Sequence, residues 1–176
     1  MPRGRRVIEP CTVQHVMNRG NARRQLFWDR ADYEEFMALL GLAAQRAPVP
    51  LLAYCLMPNH WHLVLWPSTS RALFAYMHWL TSTHVRRTHQ RRGSAGQGHI
   101  YQGRYHNVVV TGERQFFTLC RYVESNALRA GLVDRAELWP YCSLSRHPSC
   151  GRQPVVSAWP VERPENWVEI VNGMCL

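Results

Sequence analysis

The segment from Tyr54 to Pro67, YCLMPNHWHLVLWP, constrains the fold more than any other stretch. Two apolar runs, LLAYCLM and HWHLVLW, meet at Pro58-Asn59, a pair suited to a tight turn. The reading is a β-hairpin. Side chains two apart in a strand share a face. Trp61, Leu63 and Leu65 therefore feed one side, and His60 and His62 project together from the other. Two neighbouring imidazoles can share a cation or bind a phosphate. They can equally be a hydrogen-bonded pair on a half-exposed face, and HxH spacing alone favours that plainer reading.

The rest of the chain supplies elements on either side of this hairpin. CTVQHVMNRG has strand character and stops at Gly20. Tyr33, Phe36, Leu39, Leu40 and Ala43 recur at helical spacing, with Asp32 as a cap and Glu35 three residues on. APVP breaks that helix. A second long helix is expected over 70 to about 90 through Leu73, Met77, Leu80 and His84. RRGSAGQGHIYQGRY reads as a loop, HNVVV as a fourth strand, and 113–130 as a third helix stopped at Gly131. The order β-α-β-β-α-β-α predicts an α+β, ferredoxin-like antiparallel sheet with helices mainly on one face. A single domain over 1–176 is expected, with its core at about 11–147. An irregular C-terminal tail, about 148–176, should wrap on that core, with Trp159 and Trp167 as its docking anchors.

An apolar fraction of 46% is ordinary for a globular protein and excludes a disordered chain. No apolar run approaches a membrane span, and the basic start MPRGRRVIEP has no apolar signal core behind it. A soluble, cytoplasmic and nucleoid-associated protein is the expectation. Six cysteines at irregular spacing, without a CxxC pair, argue against a disulfide scaffold or zinc ribbon and read as reduced thiols. The formal net charge of +9 points to a polyanionic partner, nucleic acid first. All 21 basic residues are arginine, which codon bias explains, yet arginine also grips phosphate bidentately and stacks on bases.

In LCRYVESNALRAGLV, Tyr122 and Asn126 are four apart and share a helix face, between Arg121 and Arg129. A phenol and an amide oxygen so placed usually just pack or hydrogen-bond. Joined to the histidine pair and the basic charge, they fit tyrosine-mediated transfer of a DNA phosphodiester. There a phenol oxygen attacks phosphorus while a cation draws on a non-bridging oxygen.

The stretches HVMNRGNARRQLFWDRADYEEFMALL, YCLMPNHWHLVL, GHIYQGRYHNVVV and RYVESNALRAGLVDRAELWPYCSL resemble the REP-associated tyrosine transposases of the single-tyrosine HUH (His-hydrophobic-His) superfamily, the IS200-like transposases. They run from about residue 15 to 145. The resemblance implies that Tyr122 is the nucleophile and that His60, His62 and Asn126 hold Mg²⁺ or Mn²⁺. Imidazoles alone would suggest a softer metal, so the divalent ion here follows the family. It also implies a ferredoxin-like fold and a substrate of single-stranded DNA hairpins, REP-type palindromes with a flanking tetranucleotide. Cleavage would pass through a 5′-phosphotyrosine. A monomer is favoured, and a dimer stays open because related insertion-sequence transposases exchange tyrosine helices. Two departures stand out. Trp61 occupies a position usually small or branched, where a packing effect is expected. Asn126 is followed by Ala127 where proline is common, which leaves the local helix geometry open.

Single strands are held by arginine tracks and aromatic faces. Arg5, Arg6, Arg19, Arg23, Arg24, Arg87, Arg104 and Arg121 are the DNA-contact candidates. For RGNARR, phosphate contact is weighed above a solvated turn, because glycine permits close backbone approach. For VRRTHQRR the two readings are even. Tyr101 and Tyr105 are base-stacking or core residues, and His78, His84, His89, His99 and His106 are taken as structural. The rival function is a non-catalytic, domesticated binder of palindromic DNA or RNA. A relaxase or replication initiator would use related chemistry but usually carries partner domains.

Overall fold

A computed structural model of the chain describes residues 11–145 and 154–173. Four strands form one antiparallel sheet: β1 (Val13–Arg19), β2 (Leu51–Met57), β3 (His60–Leu65) and β4 (His106–Val110), in the order β2-β3-β1-β4. The hairpin read from the sequence is β2-β3, and β1 pairs with β3 so that Gln14 faces Leu65 and Arg19 faces His60. The expected α+β fold is therefore observed.

Helices α1 (Arg30–Arg46) and α2 (Ser70–Arg92) cover one face. Phe36, Met37 and Leu40 of α1 and Leu73, Tyr76 and Leu80 of α2 bury against Val16, Tyr54, Leu56, Trp61, Leu63 and Leu65. Trp61 is fully buried on this side, and its Nε1–H donates to the Tyr101 hydroxyl at 3.0 Å, which also bonds His84 Nδ1 at 2.7 Å. Tyr101 and Tyr105 are thus core residues, which resolves the choice between packing and base stacking.

Helices α3 (Glu113–Glu124), α4 (Asn126–Arg129) and α5 (Trp167–Val171) lie on the opposite face. The two long helices thus share one face, while the helix bearing Tyr122 has the other. Phe116, Cys120 and Val123, at helical spacing, pack there on Val13, Ala53, Cys55 and Val64. The cap expected at Asp32 is made by Asp29, whose Oδ1 accepts from Asp32 N at 3.0 Å. Two acids three residues apart both fit a cap. Asp32 is instead claimed by Arg91, at 2.8 Å, and by Arg92, tying α1 to the end of α2.

The free edge of β2 is covered rather than exposed. Leu56 N donates to Tyr141 O, Ser143 N to Tyr54 O and Ser157 N to Leu51 O, so the chain after α4 closes an edge that would otherwise template aggregation. Trp159 Nε1–H donates to Leu52 O at 2.9 Å, and Trp167 Nε1–H to Glu124 Oε2 at 2.6 Å, as anchors of the tail. Glu124 also accepts from Ser143 Oγ at 2.7 Å, and burial pushes its carboxyl pKa up. The four described cysteines, Cys11, Cys55, Cys120 and Cys142, are free thiols. Among the described residues no helix is long and apolar enough to cross a membrane.

Gly20 is where the chain after β1 folds back on itself. A Cβ there would lie 2.0 Å from Arg24 O. The close approach expected of this glycine is therefore to the chain's own backbone rather than to a phosphate. Gly41, inside α1, has nothing within 4 Å of a Cβ. Gly20→Ala is expected to destabilise the protein by more than about 1 kcal/mol, whereas Gly41→Ala should stabilise it by roughly 0.5–1 kcal/mol. Urea unfolding midpoints check both signs.

His84 generates a second expectation. Burial first, then Arg91 and Arg92, lower its pKa to about 3 from 6.5. The folded state holds it neutral where the unfolded chain takes a proton. Its stability contribution is complete above the unfolded pKa and is lost as pH falls through the window from 6.5 towards 3. His84→Gln should flatten the decline in unfolding free energy between pH 6 and pH 4 by about 1.4 kcal/mol per pH unit. An unchanged slope would show that His84 is not the group being titrated.

Candidate active site

The face of the sheet that carries α3 also carries the histidine pair. Alternation along β3 sends Trp61, Leu63 and Leu65 into the core under α1 and α2 and leaves His60 and His62 on the other side, as expected. The two rings meet edge to face at 5.0 Å. β1 adds His15, Met17 and Arg19 to the same face, because Met17 pairs with His62 and Arg19 with His60.

α3 brings Tyr122 over this patch. Its ring meets His62 edge to face at 5.5 Å and His15 at 6.3 Å. Val123 and Cys120 anchor the helix below, while Tyr122 at the rim is 39% exposed and accessible to a substrate. The guanidinium of Arg129 lies 5.1 Å from the centre of the Tyr122 ring.

The third helix is not one piece. It stops at Glu124, and Ser125, at φ −87° and ψ 2°, separates it from α4. Hydrogen bonds from Ser125 N to Arg121 O and from Arg129 N to Ser125 O continue the helical pattern across the break. Asn126, the first residue of α4, still reaches the site, where its side chain lies close enough to His60 to favour the protonated ring. His60, His62, Tyr122 and Asn126 are therefore brought together from two distant segments.

The ring nitrogens are individually placed. His60 Nδ1 lies 2.7 Å from Asn59 Oδ1, an atom that can only accept, so Nδ1 carries the proton and Nε2 the lone pair. His62 Nδ1 lies 3.0 Å from His15 Nε2. His62 is 1% exposed, and its Nε2 is buried without a hydrogen-bond partner. Burial lowers the pKa of His15 to about 4. Burial first, then His15, His60 and Arg19, lowers that of His62 to about 2. His60 is lowered by burial first and then by Arg19, with the Asn126 side chain acting the other way. All three imidazoles are neutral at pH 7, the form that ligates metal.

Two imidazole nitrogens and an amide oxygen are a donor set a divalent cation can use, and the orphaned His62 Nε2 is an observation that such an ion would explain. Among the described residues no three His, Cys, Asp or Glu side chains are placed to share a metal. A site here therefore needs an amide such as Asn126 as its third protein ligand.

The arginine candidates separate. Arg19 ends β1 beside His60 and is part of the site rather than of the turn. Its Nε is buried without a partner. Arg23 and Arg24 are exposed in the loop that clasps the hairpin turn, where Leu26 N and Phe27 N both donate to Pro58 O. Arg121 is exposed on α3, and Arg104 is exposed beside a cleft lined by Phe74, His78 and His89. Arg87 is on α2, across the sheet from the site, and pairs with Glu35 at 3.5 Å. Arg5 and Arg6 lie outside the described residues. Sequence reasoning missed His15 and underrated Arg129. The available signal for His15 was its two-residue spacing from Met17 and four from Arg19 in a strand.

Three comparisons bear on this geometry. The family model described as "Transposase IS200 like" matches residues 11–126, which contain every residue of the site except Arg129. Among curated proteins none matches. A solved structure of a REP-associated tyrosine transposase bound to a REP hairpin is similar over 92% of this chain and 100% of its own, at 14% identity with a TM-score of 0.63. This likeness extends to the fold. A crystal structure from Deinococcus radiodurans aligns over 70% of this chain and 96% of its own, at 17% identity with a TM-score of 0.47. With two thirds of its length matched to the family model, the chain belongs to the IS200-like transposases.

Proposed function

We propose that this transposase cleaves and rejoins single-stranded DNA hairpins of the REP type through a 5′-phosphotyrosine on Tyr122. The observation that carries the reading is the convergence of Tyr122, His60, His62 and Asn126 on one sheet face. The similar structure's REP hairpin supports the substrate class. The net charge of +9 supports a polyanionic partner over a small molecule.

In this reading His60 and His62, through Nε2, and Asn126, through its amide oxygen, would hold Mg²⁺ or Mn²⁺. The ion would polarise a non-bridging phosphate oxygen and screen its charge. Arg19, with a buried Nε to satisfy, holds the scissile phosphate at the end of β1. Tyr122 Oη attacks the phosphorus as its proton passes to solvent. The bond from phosphorus to the 3′ oxygen breaks, and that oxygen takes up a proton as the 3′ hydroxyl. The phosphotyrosine ester conserves the bond, so a second 3′ hydroxyl reverses the step without ATP. Arg129, against the Tyr122 ring, adds positive charge where the transferred group is negative.

Tyr122→Phe is expected to abolish cleavage of a labelled single-stranded hairpin in Mn²⁺ while leaving hairpin binding within about threefold, since it removes one oxygen from an exposed ring. Wild type should yield a protein–DNA adduct that survives denaturing electrophoresis. Undiminished cleavage by the variant sinks the mechanism. Metal-independent binding by wild type with no adduct on any hairpin favours the domesticated-binder reading instead.

A further inference from the structure

His15 has no part in the chemistry above, yet it makes a direct side-chain contact with a proposed metal ligand. It is the diagonal neighbour of His62 across the β1-β3 ladder, opposite Val64. The two rings stack at 5.2 Å between centroids, 19° from parallel, with His15 Nε2 and His62 Nδ1 3.0 Å apart. At that distance the two nitrogens share one hydrogen bond, in which one donates and the other accepts. The proton can sit on either nitrogen, and the two arrangements differ in what His62 presents to the site. With the proton on His15 Nε2, His62 Nδ1 accepts, and His62 Nε2 carries a buried N–H with nothing to donate to. With the proton on His62 Nδ1, His15 Nε2 accepts, and His62 Nε2 carries a free lone pair. The first arrangement leaves a buried donor unsatisfied and blocks ligation. The second leaves a lone pair for a cation.

We propose that His15 is a positioning residue: its Nε2 accepts the Nδ1–H of His62 and so holds the Nε2 lone pair of His62 towards the divalent-cation site. The inference rests on the metal reading of the preceding subsection. It also makes the two ligand histidines alike. Asn59 Oδ1 does for His60 what His15 does for His62, one partner from the hairpin turn and one from the neighbouring strand. Metal-bound imidazoles are held in this way by an outer acceptor, whose loss weakens metal binding without touching the metal.

The test measures metal binding and tautomer rather than turnover. Calorimetric titration with Mn²⁺ is run on wild type, His15→Phe and His15→Gln. Phe keeps a flat ring but has no acceptor, while Gln keeps an acceptor oxygen. The expected result is a loss of affinity of about tenfold or more for His15→Phe, substantially recovered in His15→Gln. Metal-free melting temperatures should stay close to wild type, which separates the effect from a packing defect. On wild type with Mg²⁺, ¹⁵N-resolved spectra should show His62 protonated at Nδ1 and bare at Nε2, a readout that does not depend on any variant folding. Wild-type binding with equal affinity in His15→Phe, or a His62 protonated at Nε2, overturns the role of His15 alone. Absence of Mn²⁺ binding by wild type overturns the metal reading and this inference with it.

Discussion

In β3 a two-residue period divides six side chains between two jobs. Trp61, Leu63 and Leu65 fill the core under α1 and α2, and this burial holds the strand at the centre of its layer. His60 and His62 are then held on the opposite face, since a one-residue slip would send both into the core under α1 and α2 and carry the tryptophan to the α3 face. The register that keeps the core dry is the register that presents the imidazoles. Stability and site geometry are here the same constraint, and the neighbouring strand inherits it. Pairing of β1 with β3 sets Arg19 opposite His60 and Met17 opposite His62, which leaves His15 one pair along.

The helix that supplies the tyrosine is fastened from both ends. Phe116, Cys120 and Val123 bury against the sheet, and Glu124, one residue beyond, is tied to Ser143 and Trp167. A buried carboxylate is costly unless its acceptors are used, so the chain after α4 and the tail are drawn in by the need to satisfy it. Tyr122 thus stays at an accessible rim while its neighbours in sequence are immobilised. Helical hydrogen bonds continue across Ser125, and Asn126 enters as the first residue of a separate short helix. This arrangement supplies the geometry left open by alanine rather than proline at position 127.

Much of this was legible from residue patterns. The hairpin, the strand order along the chain and the division of Trp61 from His60 and His62 follow from alternation and amphipathic spacing, and the anchoring by Trp159 and Trp167 from two tryptophans in an otherwise irregular tail. What escaped was set by partners distant in sequence. Asp29 and Asp32 are interchangeable as caps until Arg91 and Arg92 arrive from α2 to claim the second. Gly20 looks like a phosphate-binding glycine until Arg24 O is found against it. Arg19 reads as a turn residue until the β1-β3 register sets it beside His60. His15 is one more polar residue in a strand until the same register brings it to His62. Strand period is local and can be read, whereas cross-strand register is not.

The central claim is that one face of the sheet gathers His60, His62 and Asn126 into a divalent-cation site beside Tyr122. Anomalous diffraction from crystals soaked in Mn²⁺ addresses it most directly. The account predicts an anomalous peak within coordination distance of His60 Nε2, His62 Nε2 and the Asn126 amide oxygen. A well-occupied Mn²⁺ elsewhere on the chain, with those three atoms unligated, would contradict it.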